Sequence, residues 1–319
     1  MIVCFRNEAP RLTTCLQAIL QQRYAGPFEV LAVDDNSGDG SAELVRQLQR
    51  KFSAERLRLL SPPPTRPGKK DALTFGIQAA RYERLLLTDA DCRPASELWL
   101  REMTLPLNHH QVVLGVGDYY APAGWPARLQ AFEARYVALK YLAFARSGYP
   151  YMGVGRNLAY RKDFFRAAGG FAQHADLPGG DDDILISQHA PATATTTVTA
   201  AKARTLSVPQ PSWRSFLRQR ARHQSAGAFY RPQHQLALGC VALTHGLFYL
   251  LGLYLLFSSW WPLLWLIYGF RMLLVMRAHR QLSLGTDLRW RWYELVVYDA
   301  TVCFLYLYLI LPQGRQPSW

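Results

Sequence analysis

An uncharged apolar stretch near the C-terminus most restricts how this chain can fold. Residues 236–257 contain no Asp, Glu, Lys or Arg and are rich in leucine. About 20 consecutive apolar residues are enough to cross a bilayer as a helix. We therefore predict a membrane-spanning helix here, in preference to a buried core helix. Two weaker membrane segments are predicted at residues 260–276 and 295–311, which contain the charged residues Arg271 and Asp299 respectively.

Arg271 and Asp299 would be costly inside a membrane if each stood alone. A lone charge near the centre of a spanning helix costs at least about 2.5–3.5 kcal/mol on insertion scales. Arg271 lies six residues before Arg277, and Asp299 lies five residues after Glu294. Because the two helices run antiparallel, the charges are expected at a similar depth, and we predict that they form an ion pair. The alternative is that Arg271 extends to the lipid head groups while Asp299 faces water beside the N-terminal domain.

The segment between these two charged helices is basic, and it predicts the orientation of the protein in the membrane. The positive-inside rule places such a loop in the cytoplasm. Three spans then put a domain at residues 1–233 on the cytoplasmic side, followed by a membrane domain at residues 234–319. We therefore predict an integral protein of the cell membrane. The basic residues of the loop are Arg277, Arg280, Arg289 and Arg291.

Residues 1–233 alternate short apolar runs with amphipathic segments, a pattern that predicts an α/β domain with a mostly parallel sheet. In such sheets, ligands bind beyond the carboxyl ends of the strands. The chain begins inside the first predicted strand, which is therefore expected to be short. The predicted strands are residues 1–5, 29–33, 57–60 and 84–88, the predicted helices include residues 41–52 and 71–80, and the proline-rich residues 61–68 are predicted to form a loop.

Acidic residues follow two of these predicted strands. Asp34 and Asp35 end one strand, and Asp89 and Asp91 directly follow another. Carboxylates at alternate positions can share one hard cation, such as Mg²⁺ or Mn²⁺, and that cation can bind a diphosphate. A solvated turn is the alternative explanation of an isolated Asp-X-Asp sequence, but its position at the end of a buried strand favours a functional site.

A third acidic cluster lies at residues 181–183 and precedes an apolar run. Three adjacent carboxylates repel one another, so a purely structural role is a poor explanation for them. A general base or a metal site would require them, whereas an exposed helix cap is the alternative. The two explanations are compatible if Asp181 caps a helix while Asp182 does the chemistry.

The positive charge of the chain favours an anionic partner. Lys and Arg total 36 and Asp and Glu total 23, which gives a formal net charge of +13. Residues 201–233 contain seven basic residues and no acidic one, which predicts a juxtamembrane segment that docks on anionic membrane lipids and also leaves one or two cations to hold a diphosphate. Nucleic acid is not predicted as a partner, because it would not explain the acidic clusters at the strand ends.

Seven motifs, in this order, resemble those of the family 2 glycosyltransferases with the GT-A fold, over residues 1 to about 230. The resemblance implies a nucleotide-diphospho-sugar transferase domain followed by C-terminal transmembrane helices. It also implies an inverting, metal-dependent glycosyltransferase of the hexosyltransferase type (EC 2.4). The matching segments are IVCFRNE at residues 2–8, VDDNSGDGS at 33–41, GKKDAL at 68–73, TDADC at 88–92, GVGRNLAYRKDFF at 153–165, GGDDDIL at 179–185 and QRARH at 219–223.

The resemblance implies how the donor, a nucleotide sugar, is bound. Either Asp34 or Asp35 would hold the base of the nucleotide, and Lys69 would contact the diphosphate. Asp89 would lie near the ribose and the metal, and Asp91 would bind Mg²⁺ or Mn²⁺.

The resemblance also assigns the acceptor side of the reaction. Asp182 would deprotonate the acceptor hydroxyl, and Gln219 and Arg222 would cover the donor site. A single base and a metal suffice for an inverting transfer, so no nucleophile is expected. The acceptor implied by the membrane-bound branch of the family is a lipid-linked or cell-surface glycan.

Two alternative functions remain open from the sequence. One is the catalytic subunit of a processive polysaccharide synthase, which is disfavoured by His223 in the place of the family's Trp and by the small number of predicted spans. The other is a non-catalytic protein that binds the membrane surface through its basic segment. This second alternative gives no reason for acidic clusters at the ends of strands.

Overall fold

The computed structural model describes residues 1–53, 55–63, 69–120, 123–177, 179–286 and 289–310. Two of the predicted segments fall partly outside this range. Residues 64–68 of the proline-rich loop and residue 311 at the end of the third predicted membrane segment lie outside the described residues.

The described residues contain ten strands in two sheets. The sequence-predicted strand at residues 57–60 is confirmed with its predicted bounds, and the other three predicted strands are confirmed with ends that differ by one residue. The strands are β1 (Ile2–Phe5), β2 (Val30–Asp34), β3 (Leu57–Leu60), β4 (Arg84–Asp89), β5 (Arg93–Pro94), β6 (Val112–Leu114), β7 (Gly117–Tyr119), β8 (Leu158–Arg161), β9 (Thr195–Thr197) and β10 (Thr205–Ser207).

Eleven α-helices are described. The helix predicted at residues 41–52 is confirmed with its predicted bounds, and the helix predicted at 71–80 begins two residues earlier. The helices are α1 (Ala9–Leu20), α2 (Ser41–Phe52), α3 (Lys69–Ala79), α4 (Trp99–Thr104), α5 (Gly124–Arg146), α6 (Lys162–Ala167), α7 (Asp183–His189), α8 (Trp213–Ser225), α9 (Pro232–Leu256), α10 (Trp261–Ser283) and α11 (Trp292–Ile310).

The larger sheet confirms the predicted mostly parallel α/β architecture. Within the described residues it has seven strands in the order β3-β2-β1-β4-β8-β6-β9. Only β8 runs antiparallel to its neighbours, β4 and β6, in this part of the chain. Because β1, β2 and β4 are parallel, their carboxyl ends lie at one edge of the sheet. This arrangement brings the two acidic strand ends predicted from the sequence to the same edge.

Helices cover both faces of this sheet. Successive residues of a strand point to opposite faces, so Ile2 and Val3 of β1 belong to different clusters of buried side chains. Leu16 of α1 packs in the cluster of Val3, and Leu73 of α3 packs in that of Ile2. Central strands buried on both faces explain why the sequence shows continuous apolar runs here and not alternation.

A buried group of charges connects the smaller sheet to α5 and to the C-terminal helices. In this sheet, β10 lies between β5 and β7. Asp118 of β7 contacts the guanidinium groups of Arg135, at 2.5 Å, and Arg204, at 3.2 Å, and all three side chains are almost completely buried. Burial would raise the pKa of Asp118, but the Arg135 guanidinium holds it below its usual value. Arg204 also donates to the carbonyl oxygen of Leu282 at the end of α10.

The C-terminal region partly differs from the predicted three membrane spans. Among the described helices, α9 and α10 are the two that are long and apolar enough to cross a membrane. Large apolar side chains on them are exposed, for example Leu236 and Leu266 at 71% each, so a non-aqueous surrounding would stabilise them. The predicted second segment, residues 260–276, extends further, because α10 continues to Ser283.

The third predicted membrane segment is a helix, α11, but it is not one of the two candidate spans. Part of its apolar surface is occupied by the N-terminal domain, because Leu295, Tyr298 and Val302 pack against Leu129 and Phe132 of α5. The helix therefore connects the N-terminal domain with α9 and α10. This packing was not predictable from hydropathy alone.

The loop between α10 and α11 lies against the N-terminal domain. Arg128 of α5 donates to both carboxylate oxygens of Glu294, each at 2.6 Å, and to the carbonyl oxygen of Arg289. Ser283 accepts a hydrogen bond from Arg135. The basic loop and the N-terminal domain therefore lie on the same side of the two apolar helices, as the sequence predicts.

The predicted ion pair between Arg271 and Asp299 is confirmed. The guanidinium of Arg271 lies 2.7 Å from a carboxylate oxygen of Asp299, whose side chain has no solvent exposure. The hydroxyl of Tyr249 also donates to Asp299, at 2.7 Å, and the ring of His245 lies 3.6 Å away. One carboxylate therefore contacts side chains from both of the other C-terminal helices.

We predict that Arg271 and Asp299 are energetically coupled. Arg271→Leu and Asp299→Leu should each lower the melting temperature in detergent, because each leaves a buried charge without its partner. The double variant should be more stable than additivity predicts, with a coupling energy of about 1–3 kcal/mol.

Arg277→Leu is the matched control, because Arg277 lies on the same helix and is exposed. It should change stability by no more than about 0.5 kcal/mol. Additive losses in the cycle of Arg271 and Asp299 would contradict the coupling.

Candidate active site

The end of β4 forms a candidate site for a divalent cation. Asp89 is the last residue of β4, and the chain turns immediately after it, which brings Asp91 back beside it. One ligand atom from each of Asp89, Asp91 and Cys92 lies within 4.8 Å of the others. Burial keeps the pKa of the Cys92 thiol well above its usual value, and the thiol donates to Asp91. The two carboxylates are therefore the groups suited to a hard cation.

Lys69, at the start of α3, connects this site to the third acidic cluster. Its ammonium lies 2.6 Å from Asp89 and 3.5 Å from Asp181. Burial alone would lower the pKa of Lys69, but the two carboxylates offset this effect and hold it well above its usual range. Lys69 therefore stays charged, and the two acidic segments meet across it.

Asp89 and Asp91 differ in their electrostatic surroundings. Burial would raise the pKa of Asp89, but the Lys69 ammonium holds it below its usual value. Burial and the negative charge of Asp89 both raise the pKa of Asp91. A cation bound between the two would stabilise the ionised form of both.

The cluster at residues 181–183 differs in detail from the expectation. Asp182, and not Asp181, is the cap of α7: one of its oxygens accepts the backbone N–H of Asp183 at 2.8 Å. Its other oxygen accepts the backbone N–H of Gly155. The side chain that caps the helix is therefore the one predicted to act as the base, and two backbone N–H groups fix its orientation.

Asp182 and Asp183 both have raised pKa values. Burial and the charge of Asp181 raise the pKa of Asp182 well above its usual value. Burial raises the pKa of Asp183 to about 6, and its carboxylate accepts a hydrogen bond from the Tyr230 hydroxyl. Asp183 also accepts the backbone N–H of Ile184, so each of the two carboxylates uses about half of its acceptor sites.

A cavity of about 630 Å³ joins these groups. Six of the sequence-predicted site residues line it together, and it continues between α5, α9 and α11, where His245 and Tyr306 are part of its wall. The predicted site residues that line the cavity are Lys69, Asp89, Asp91, Asp182, Gln219 and Arg222.

Asp34 and Asp35 are placed differently from the other predicted residues. Both are buried at the carboxyl end of β2, where Asp34 accepts the N–H of Ser37 at 2.9 Å. Burial raises the pKa of Asp35, although the guanidinium of Arg6 lies 3.8 Å away. Neither carboxylate is among the described residues that line the cavity, so the structure leaves both at the same sheet edge but outside this space.

Helix α8 carries the QRARH segment into the cavity wall. Ser212 and Ser215 form a capping box that fixes its start. The side-chain oxygen of Gln219 is buried and has no hydrogen-bond partner in the described part of the chain, which leaves it available to a ligand. Burial, with Arg220 and Arg222 nearby, lowers the pKa of His223 to about 3, so its imidazole is neutral near pH 7.

Sequence reasoning did not single out several charged residues of this cavity, among them Arg156, Glu133 and Lys140. Arg156 donates to Ser207 and to the carbonyl oxygen of Gly117, and its charge acts on both Asp89 and Asp91. Glu133 and Lys140 of α5 also line the cavity. Lys140 had a usable signal, because it is the only charge among the otherwise uncharged residues 136–145. Arg156 had none beyond its place in the acceptor-side motif.

The fold and the site define a class of nucleotide-sugar transferases, and comparison with known proteins agrees. The model of glycosyl transferase family 2 matches residues 1–169, more than half of the chain. The mannosyltransferase PcManGT from Pyrobaculum calidifontis, solved with GDP-Man and Mn²⁺, has a similar fold, with a TM-score of 0.59 and 21% identity over 95% of this chain and 86% of that chain. The chain therefore belongs to glycosyl transferase family 2 and has the GT-A fold.

Two curated relatives share part of their sequence with this chain. Glycosyltransferase AglE of Haloferax volcanii is 28% identical over 184 residues, which are 57% of this chain and 58% of AglE. Dolichyl-phosphate beta-glucosyltransferase of Drosophila melanogaster is 36% identical over 98 residues, 28% of this chain and 30% of that protein. The chain thus matches little more than half of AglE and less than a third of the second relative.

We predict that Asp91→Ala weakens Mn²⁺-dependent binding of a nucleoside diphosphate. The affinity should fall at least about tenfold, because even residues that only support the ligands of a bound metal change its affinity by that much. Titration calorimetry of UDP and of GDP, each with and without Mn²⁺, measures the effect.

Asp163→Ala is the control for this prediction. Asp163 is a half-exposed residue of α6 that pairs with Arg161 and does not line the cavity. Undiminished Mn²⁺-dependent binding in Asp91→Ala would show that Asp91 does not hold the metal.

Proposed function

We propose that this glycosyltransferase moves a sugar from a nucleoside-diphosphate sugar to a lipid-linked acceptor at the membrane surface, with inversion. The observation that carries this proposal is the single cavity that joins Asp89 and Asp91 to Asp182 and then continues between α5, α9 and α11. A donor at the strand ends and an acceptor arriving from the membrane would meet in this space. The dolichyl-phosphate specificity in the name of the Drosophila relative supports a lipid-linked acceptor.

Donor binding is assigned to the end of the cavity beside the sheet. Asp89 and Asp91 would hold Mg²⁺ or Mn²⁺, which when bound would neutralise charge on the diphosphate. The Mn²⁺ found with PcManGT supports this choice of metal. Lys69 and Arg222 would contact the diphosphate, Gln219 would cover the donor, and Asp34 or Asp35 would hold the nucleotide base.

Asp182 is proposed as the general base. Its half-buried carboxylate has a raised pKa, which increases its affinity for a proton, and it keeps free acceptor sites beside the two backbone donors. The backbone N–H of Gly155 and the start of α7 fix the orientation of the carboxylate. Asp182 would take the proton of the acceptor hydroxyl as the sugar is transferred.

The proposed location is the cell membrane, with the catalytic domain on the cytoplasmic side. The two apolar helices, α9 and α10, support an anchor in the membrane. The basic loop between α10 and α11 lies against the catalytic domain, through Arg128 and Arg135. The positive-inside rule then places both in the cytoplasm.

The experiment that tests the proposed function is a donor screen. Detergent-solubilised protein is incubated with UDP- and GDP-linked sugars, Mn²⁺ and a membrane lipid extract, and the released nucleoside diphosphate is measured. We expect release from one donor class, increased by the extract and removed by EDTA. No release from any donor, in a preparation that binds the corresponding nucleoside diphosphate, would contradict the proposal.

We predict that Asp182→Asn retains Mn²⁺-dependent donor binding but loses transfer. The amide cannot take up the hydroxyl proton, and loss of a general base lowers the rate by about 10²-fold or more. The rate of transfer to the extracted acceptor is measured beside the binding of the nucleoside diphosphate.

Asp163→Asn provides the control for an amide substitution outside the cavity and should transfer at the wild-type rate. If Asp182→Asn also transfers at that rate, the base is another residue, and Asp181 and Asp183 are then the next to test.

A further inference from the structure

Among the described residues, one lysine lines the part of the cavity between α5 and the C-terminal helices. Lys140 is on α5, and the cavity wall beside it includes Tyr306 of α11 and His245 of α9. Its ammonium lies 4.6 Å from the ring centre of Tyr136 and 4.8 Å from that of Tyr306. The proposed donor groups do not account for this cation.

Among the described residues, Lys140 has aromatic neighbours but no counter-ion of its own. In the described part of the chain, its ammonium makes no hydrogen bond and no ion pair. Glu133, seven residues earlier on α5, is engaged elsewhere: it lies 3.2 Å from Arg220 and accepts a hydrogen bond from the Tyr306 hydroxyl at 3.0 Å. The three charged groups Glu133, Lys140 and Arg220 therefore leave one positive charge without a balancing anion.

Partial burial makes this unbalanced charge costly. It lowers the pKa of Lys140 to about 8, and the charge of Glu133 only partly offsets the effect. The ammonium is still mostly protonated near pH 7. An anion that entered the cavity beside Lys140 would offset the free-energy cost of this unpaired charge. We therefore expect the partner of this cation to be a bound ligand.

The surroundings of Lys140 define the kind of anion. Leu238, Val241 and Ala242 of α9 also line the cavity, and α9 is one of the two helices apolar enough to cross a membrane. A ligand at this place would have an anionic group beside Lys140 and an apolar chain beside α9. A free sugar or a nucleotide would leave these apolar side chains without a partner.

We propose that Lys140 binds a phosphate group attached to the lipid chain of the acceptor. This inference rests on the proposed function, because it takes the bound lipid phosphate to be part of the acceptor. The phosphate lies at Lys140 with the rings of Tyr136 and Tyr306 on either side, and the lipid chain leaves along α9. The acceptor sugar then extends through the cavity to Asp182, where its hydroxyl reacts.

The test measures binding of a simple lipid phosphate without any donor. Farnesyl phosphate, farnesol and inorganic phosphate are each titrated into the full-length protein in a neutral detergent. We expect farnesyl phosphate to bind at least about tenfold more tightly than farnesol, because a charge-assisted contact replaces an unpaired cation. Inorganic phosphate should not compete at equal concentration, because it lacks the apolar chain.

Three variants assign the effect to Lys140. Lys140→Gln should lose the preference for farnesyl phosphate, and Lys140→Arg should retain most of it. Lys202→Gln is the matched control, because Lys202 pairs with Glu102 outside the cavity, and it should bind like the wild type. Mn²⁺-dependent binding of UDP or GDP in the same preparations shows that each variant is folded.

Three results would overturn the inference. The first is equal binding of farnesyl phosphate and farnesol to the wild type. The second is an unchanged preference in a folded Lys140→Gln variant. The third is competition by inorganic phosphate at equal concentration, which would identify a site for free phosphate and not for a lipid.

The outcome is separable from that of the proposed function. Binding of farnesyl phosphate that depends on Lys140, without turnover of any nucleotide sugar, would support the lipid-phosphate site and contradict the transferase. Transfer of a sugar without a preference for farnesyl phosphate would support the proposed function and contradict the lipid-phosphate site.

Discussion

Repulsion among carboxylates is the constraint on which the site depends. Asp89, Asp91 and residues 181–183 all line one cavity, and Lys69 is placed between the two groups, in contact with Asp89 and Asp181. Lys69 and Arg156 do not fully balance this negative charge, and burial together with the remaining repulsion raises the pKa values of Asp91 and Asp182. A divalent cation between Asp89 and Asp91 would relieve this repulsion at the donor end. In the proposed function, the raised proton affinity of Asp182 would serve the removal of a proton from the acceptor hydroxyl.

The catalytic domain and the C-terminal helices are joined by buried charges as well as by apolar packing. Arg135, Asp118 and Arg204 link α5 and the small sheet to the end of α10. Asp299 of α11 contacts Arg271 of α10 and Tyr249 of α9. These contacts hold α9 and α11 beside α5, where residues of the three helices form one part of the cavity wall. In the proposed function, this one interface would provide both the membrane anchor and the access of the acceptor.

Much of the fold could be predicted from local sequence. Apolar runs bounded by polar turns specify the strands, and α2 and β3 follow their predicted bounds because propensity, periodicity and burial agree there. The acidic strand ends were predictable because parallel strands place their carboxyl ends together. The ion pair of Arg271 with Asp299 was predictable because the membrane makes a lone charge so costly.

The remaining features depend on tertiary contacts that spacing does not encode. The proposed role of Lys140 depends on its contact with Tyr306 and on the ion pair of Glu133 with Arg220. These residues are far apart in sequence. The capping role fell on Asp182 and not on Asp181, because the start of a helix is uncertain by a residue or two from sequence. Hydropathy also gave no sign that α11 packs against α5, since a membrane helix and a buried helix have similar compositions.

The central claim is that a cation that binds the donor relieves the repulsion among the carboxylates. A titration with Mn²⁺ tests it, if the electron paramagnetic resonance signal of the free ion is followed. The account predicts that one Mn²⁺ per chain is bound, and that the nucleoside diphosphate of the preferred donor tightens its binding. Two results would contradict the account: no saturable Mn²⁺ site with or without the diphosphate, or a site whose affinity the diphosphate leaves unchanged.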